Sequence, residues 1–294
     1  MNLGGLFTRT RVTFDNALQC DELVLDEQTR TGAALQRVSA MLDLVRRFAG
    51  LSCYACVQSS NNFPMGAGIA SSASAFAALS LAASRAAGLD LDEAALSKLA
   101  RTGSGSACRS VPGGFVEWRA GNRHENSYAY SIAPPEHWEL VDCVAIVSRE
   151  HKVTGSSEGH PLAYTSPLQS ARVDDAPRRL RICRQAILER DFEALADIVE
   201  LDSHLMHGVI MTSSPRILYW QPATLTVMQA VSAWRKQGLP VCYTIDAGPN
   251  VHVICTAPSA SEVTERLKAL AGVEAVLTAT PGGPAQIIDD DRFT

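Results

Sequence analysis

Three short stretches hold side chains whose types and spacing suit chemistry. The first is Gly66-Ala67-Gly68-Ile69-Ala70-Ser71-Ser72, which follows Phe63-Pro64 and runs into an Ala/Leu/Ser helix pattern ending near Leu89. Small residues before a helix let the backbone close around an anion, with unsatisfied N–H groups and the positive end of the helix dipole facing it. The hydroxyls of Ser71 and Ser72 add donors, or a ligand for the metal that accompanies a nucleotide. No Gly-Lys-Ser/Thr follows the glycines, so the stretch is not of the Walker type, and a glycine-rich turn into a buried helix also serves plain packing. The second stretch, Gly103 to Ser110, is a run of small residues holding one arginine, Arg109, between Ser106 and Ser110, with Pro112-Gly113-Gly114 behind it. It reads either as a tight turn or as a loop whose hydroxyls and guanidinium converge on an anionic ligand. The third is Asp246-Ala247-Gly248-Pro249-Asn250, between two alternating apolar runs. A hairpin turn accounts for Gly248, Pro249 and Asn250, and Asp246 then serves as its opening residue.

Other candidates carry less. Cys53 and Cys56 have redox or zinc spacing but sit in a strand pattern with no second pair to match them, which favours plain buried thiols. His204 and His207 lie three apart on one helix without a third ligand at a sensible spacing, which favours ordinary helix positions. The region from Ser148 to Asp175 is polar and carries Lys152 to Ser157, a mobile loop or a helix start.

The elements that must position these groups follow from periodicity. Residues 3 to 14 alternate as a strand, Asp15 to Ala17 turn it, and Glu22 to Leu25 return as its partner. Ala33 to Phe48 places Leu35, Val38, Met41, Leu42, Val45 and Phe48 on one helical face, with Gly50 as the stop signal. Tyr54 to Ser59 is a strand feeding the glycine-rich turn; Leu91 to Arg101 is a helix; Phe115 to Trp118 is a strand. A composition shift at Ala133-Pro134-Pro135 marks a domain junction, giving domains 1–135 and 136–294. Beyond it come a strand at Val141 to Val147, helices at 176–190, 191–211 and Leu225 to Gln237, strands at Pro240 to Ile245 and Val251 to Thr256, and a helix at Ser259 to Leu270. Val273 to Thr280 and Ala285 to Ile288 finish the sheet.

At 294 residues, 46% apolar and 19% charged, the chain is a folded protein with room for a large core. A net charge of -5 with no Lys/Arg block argues against nucleic acid as a partner. The Ala/Ser helix is too polar for a membrane span, no signal peptide opens the chain, and the eight scattered cysteines fit a reducing, cytoplasmic setting.

Taken together, GIASSASAFAALS, RTGSGSACRSVPGGFVEW and TIDAGPNVHVI resemble the diphosphomevalonate decarboxylases, a branch of the GHMP kinase superfamily. The order and spacing of the three fit, as does the Lys152-Val153-Thr154-Gly155-Ser156-Ser157 loop, and the similarity runs from Leu3 to about Asp290. The resemblance implies an α+β, two-lobed GHMP fold: a ribosomal-protein-like first lobe, a ferredoxin-like second lobe, and the site in the cleft between them. It implies ATP and Mg2+ as cofactors, a phosphorylated mevalonate as substrate, and a homodimer. The reaction is phosphorylation of the tertiary 3-hydroxyl of mevalonate 5-diphosphate, then loss of phosphate and carbon dioxide to give isopentenyl diphosphate.

By the same resemblance Asp246 is the catalytic carboxylate that holds the hydroxyl in line, and Arg109 is catalytic through its grip on the substrate carboxylate. Ser106 and Ser110 donate to the substrate, Gly66 to Ser72 cradle the ATP phosphates with Ser71 or Ser72 near magnesium, and Ser156 and Ser157 close over the diphosphate. The family's opening segment, approximately Asn-Ile-Ala then Lys-Tyr-Trp-Gly-Lys, has no counterpart ahead of Thr8, since Met1 to Leu6 align within the first strand region. Either the start is set at an internal Met, or the chain is short and lacks a strand and a charge-neutralising lysine. An upstream extension is then expected to raise both melting temperature and turnover. The alternatives are a mevalonate 5-phosphate decarboxylase, a mevalonate 3-kinase-like enzyme, or a non-catalytic nucleotide-binding paralogue.

Overall fold

The computed structural model describes residues 1–63, 70–150 and 156–288. Within these the chain forms two compact units, one of residues 1–63, 71–135 and 282–288, the other of Ala70 and residues 136–150 and 156–281.

The first unit contains β1 (Thr8–Asp15), β2 (Glu22–Leu25), β3 (Gln28–Thr29), α1 (Ala33–Ala49), β4 (Tyr54–Asn61), α2 (Ser71–Ala86), α3 (Glu93–Gly103), β5 (Phe115–Arg119) and β6 (Tyr128–Ala133). Four strands form a sheet in the order β1-β4-β2-β3, and β5 and β6 pair separately. β1 runs antiparallel to β4 with Val12 opposite Val57, and β2 runs parallel to β4 with Leu23 opposite the same Val57. β2 is therefore not the partner of β1, as its place in the sequence suggested. The long connection through α1 allows a parallel pairing, and β4 takes the central position. Val12, Val57 and Leu23 make one apolar face, covered by Met41, Leu42 and Val45 of α1, Phe76 and Ala77 of α2, and Leu96 and Leu99 of α3.

Local signals end the helices where chemistry requires. Gly50 closes α1 in the left-handed conformation at φ 67°, and its N–H bonds to Arg46 O. Asp92 caps α3 by accepting from Ala95 N at 2.7 Å. At the other end of α3 the absence of a side chain matters: a Cβ on Gly103 would stand 2.0 Å from the Phe76 ring.

The second unit contains β7 (Leu140–Ile146), α4 (Ser156–Leu162), α5 (Gln169–Glu189), α6 (Phe192–Met211), α7 (Pro222–Lys236), β8 (Val241–Thr244), β9 (Val251–Thr256), α8 (Ala260–Lys268) and β10 (Ala275–Ala279). The strands form an antiparallel sheet in the order β10-β7-β9-β8, so β8 is an edge. Every residue of β7 is buried. On one face Val141, Cys143, Val251, Val253 and Cys255 pack with Val227 and Val231 of α7 and Val263 and Leu267 of α8.

Ala285 to Ile288 do not extend this sheet. From Gly282 the chain returns to the first unit, where Gly282 N–H donates to Asn2 O at 2.8 Å, Gly114 N–H to Gly282 O at 2.8 Å, and Ala285 N–H to Val111 O at 2.9 Å. This places residues 282–288 apart from the 136–294 domain read from the sequence. Glycine makes the approach possible: a Cβ on Gly113 would lie 2.6 Å from Pro284 N, and one on Gly282 would lie 2.7 Å from Gly4 N.

Candidate active site

At the start of α2, Ala70 is exposed with φ 49°, and Ser71 opens the helix. Gly66, Ala67, Gly68 and Ile69 lie outside the described residues. Ser72 is exposed, and its Oγ accepts from Arg37 Nη2 at 3.3 Å. The same nitrogen donates to Gly103 O at 2.8 Å, and the guanidinium lies over the Phe76 ring at 4.9 Å. Ser74 Oγ donates to Thr8 Oγ1 at 2.7 Å, and Thr8 in turn donates to Asn61 Oδ1. The first turn of α2 is thus tied to α1, α3 and β1. An exposed hydroxyl and a guanidinium stand at a helix N-terminus, the positive end of the helix dipole. That donor set fits a polyphosphate and its magnesium. Arg37 escaped the sequence reading because helical periodicity says only that it falls on the polar face of α1.

The Gly105–Ser110 stretch is a 3₁₀ helix, not an irregular turn. Its floor is fixed by one buried hydroxyl: Ser97 Oγ donates to Cys108 O at 3.0 Å and accepts from Ala129 N at 2.8 Å. Cys108 is fully buried, and burial pushes its thiol up from the ordinary value, so it packs and does not react. Arg109 is exposed and rests over the Trp118 indole at 5.9 Å. Among the described residues it makes no ion pair and no side-chain hydrogen bond. Ser106 and Ser110 are half-buried, and the three-residue period sets Ser106 and Arg109 on one face. The structure therefore brings Ser106, Arg109 and Ser110 onto a single turn. Through Arg37 and Gly103 that turn's approach is linked to the start of α2.

In the second unit Asp246 follows β8 and is exposed, with no ion pair or side-chain hydrogen bond among the described residues. Its backbone O accepts from Gly248 N at 2.8 Å. The rest of the turn is locked by Asn250, wholly buried, whose Oδ1 accepts from Val147 N at 2.8 Å and Ser148 N at 3.1 Å, while its Nδ2 donates to Ser148 O at 3.0 Å. Thr224 Oγ1 donates to Pro249 O at 2.7 Å. A hairpin turn alone needs none of these anchors; they hold a carboxylate in a fixed place.

His204 and His207 do not form a metal pair: His204 Nε2 bonds Tyr243 Oη at 2.8 Å, and His207 Nε2–H donates to Ile245 O at 3.1 Å. No cluster of metal-ligating side chains occurs among the described residues. None of the eight cysteines is in a disulfide. Ser156 and Ser157 open α4, but their side chains lie outside the described residues.

Comparisons with known proteins meet this geometry. Residues 1–129 match the family model of the diphosphomevalonate decarboxylase-like N-terminal domain, and residues 143–285 that of the mevalonate 5-diphosphate decarboxylase C-terminal domain. The diphosphomevalonate decarboxylase of Candida albicans is 41% identical over 199 residues, covering 66% of this chain and 55% of the relative. The chain spans about half the length of that relative and of the human one. The phosphomevalonate decarboxylase of Haloferax volcanii is 32% identical over 287 residues, covering 97% of this chain and 87% of the relative. A solved structure in complex with MVAPP, AMPPCP and magnesium superposes with a TM-score of 0.91 at 34% identity, covering 98% of this chain and 88% of its own. With its α+β, GHMP-type fold, the chain belongs to the diphosphomevalonate decarboxylase family.

Proposed function

We propose that this chain catalyses the ATP-dependent decarboxylation of mevalonate 5-diphosphate to isopentenyl diphosphate. One observation carries the reading: in a member of this family, Arg109 and Asp246 both stand in solvent with no ion pair among the described residues. An exposed carboxylate on a locked turn and an exposed guanidinium on a locked 3₁₀ helix are groups kept for a ligand.

Asp246 holds the tertiary 3-hydroxyl in line and accepts its proton as the oxygen attacks phosphorus. ATP bound with Mg2+ supplies the phosphoryl group. Arg109 grips the substrate carboxylate through its planar fork. As phosphate leaves C3, the electrons of the bond between C2 and the carboxylate carbon form the new double bond, and carbon dioxide departs. Ser106 and Ser110 donate hydrogen bonds to the substrate beside Arg109. Ser71, Ser72 and Arg37 would hold the nucleotide phosphates and the metal, and the family resemblance assigns Gly66 to Ala70 to the same phosphates and Ser156 and Ser157 to the diphosphate. The eight cysteines, none of them in a disulfide, support a reducing, cytoplasmic setting. Family resemblance supports a homodimer.

The Haloferax relative, aligned over 97% of this chain, is a phosphomevalonate decarboxylase and favours the monophosphate as the second substrate to try. The test is ATP-dependent carbon dioxide release with the diphosphate and the monophosphate side by side, with Asp246→Asn as control. Release from the diphosphate that the control abolishes is the expected result. No release from either substrate, with nucleotide still bound, identifies a non-catalytic nucleotide-binding chain and refutes the reading.

A further inference from the structure

β8 is an edge strand, and an edge leaves a row of backbone N–H and C=O groups without partners. Here no further strand covers it among the described residues. Instead α6 presents Glu200, Ser203, His204 and His207, an i, i+3, i+4, i+7 stripe that falls on one side of the helix. Each of the four bonds to β8 or to the residue that follows it. Glu200 Oε1 accepts from Tyr243 N at 3.3 Å, and His204 Nε2 meets Tyr243 Oη at 2.8 Å. Ser203 Oγ accepts from Ile245 N at 3.0 Å and donates to Ile245 O at 3.4 Å. His207 Nε2–H donates to the same Ile245 O at 3.1 Å. The peptide groups of Ile245, one residue before Asp246, are held from both sides by side chains of one helix.

The stripe is built to stay fixed. His207 is 1% exposed and Ser203 3% exposed, so neither bond competes with water. The His207 ring packs against Trp220 at 4.9 Å and edge-on to Tyr219 at 6.3 Å. Glu200 is itself gripped by both terminal nitrogens of Arg235, at 2.8 and 2.9 Å. Apolar side chains would fill this space without leaving polar groups in the core; a buried histidine and serine are warranted only by the backbone groups they satisfy.

We infer that Ser203 and His207 are positioning residues for Asp246: their hydrogen bonds to the Ile245 peptide fix where the carboxylate stands. The inference rests on the reading of Asp246 as the group that holds the 3-hydroxyl. Neither side chain touches the substrate. A carboxylate displaced by a fraction of an ångström still leaves binding intact but loses in-line attack, so the effect falls on kcat.

The experiment compares His207→Phe, which keeps a ring and loses the donor, with His207→Gln, which keeps an N–H at a similar reach. Steady-state kcat and KM for ATP and mevalonate 5-diphosphate are measured, with melting temperature as the folding check. The phenylalanine variant is expected to lose about tenfold in kcat with both KM values unmoved, and glutamine to restore most of it. Equal losses in the two variants, or losses confined to KM, overturn the inference by reducing His207 to packing. Should the phenylalanine variant not fold, Ser203→Ala carries the same test. It removes the bond to the Ile245 amide by deleting one oxygen, and unchanged kcat there overturns the inference. Asp246→Asn is run alongside. If it retains wild-type turnover, the reading of Asp246 has failed; if it is inactive while Phe and Gln both match wild type, only the positioning inference has.

Discussion

Arg109 is exposed beside the Trp118 indole and makes no ion pair among the described residues. Its planar fork can hold both oxygens of a carboxylate, whereas an ammonium presents a single point of charge. Arg109→Lys is expected to lower kcat/KM for the phosphorylated mevalonate by about tenfold or more while leaving melting temperature in place. A parallel fall in stability would show instead that the arginine serves the fold. His207 makes the second argument at this scale. Burial, only partly offset by the bond to the Ile245 carbonyl and by Asp246, lowers its pKa to about 4, with a small push in the same direction from His204, so the folded protein holds the ring neutral. Unfolded, it takes a proton near pH ~6.5. The unfolded state therefore binds more protons as pH falls from ~6.5 towards 4, and stability drops over that window. Between pH 7 and pH 5 this group alone is expected to remove about 2 kcal/mol, and His207→Gln should lack that component. Urea unfolding of both proteins at the two pH values measures it, and parallel curves would refute it.

At the scale of elements, helix packing decides where the site loops begin. Gly103 ends α3 against the Phe76 ring, and its carbonyl receives Arg37, which also reaches Ser72. Gly103→Ala drives a methyl into a buried ring that is 7% exposed. A loss of about 1–3 kcal/mol is expected from overpacking. Nucleotide affinity should fall with it, read by thermal unfolding and nucleotide titration; an unchanged melting temperature would sink this account. Helices with strong local signals were legible from the sequence: α1 shows its apolar period and its glycine stop, and α3 its Asp92 cap, whereas α5 begins at Gln169, ahead of the 176–190 read from its pattern. Pairing was less so. β2 joins β4 and not β1, β6 offered no signal that was read, and Ala285 to Ile288 look like a strand yet form none. Each of these depends on partners distant in sequence. The same holds within the site: motif resemblance pointed to Asp246 and Arg109, but Arg37, Ser203 and His207 sit on helix faces where polarity alone says nothing of the backbone group they meet.

At the scale of the whole molecule, the first unit is not a continuous stretch of chain, because residues 282–288 belong with residues 1–63 and 71–135. The returning segment is joined by backbone bonds at both ends of its path. Gly282 exchanges with Asn2 and Gly114, and Ala285 bonds Val111, itself 3% exposed. Asn2 Nδ2 donates to Pro112 O beside them. The Pro112-Gly113-Gly114 turn that follows Ser106, Arg109 and Ser110 is therefore held from behind by the far end of the sequence. Removing residues 282–294 is expected to cost about 3 kcal/mol, as the backbone bonds of Gly282, Gly114 and Ala285 are lost at roughly 1 kcal/mol each. The loss should be local. Amide exchange at Gly114 should quicken strongly, while Tyr243 and Ile245, held by α6 in the other unit, should exchange as before. Substrate affinity should weaken more than nucleotide affinity, since the loosened turn adjoins Arg109 and not Ser72. Uniformly faster exchange across both units would show that the tail supports the whole chain and not this turn.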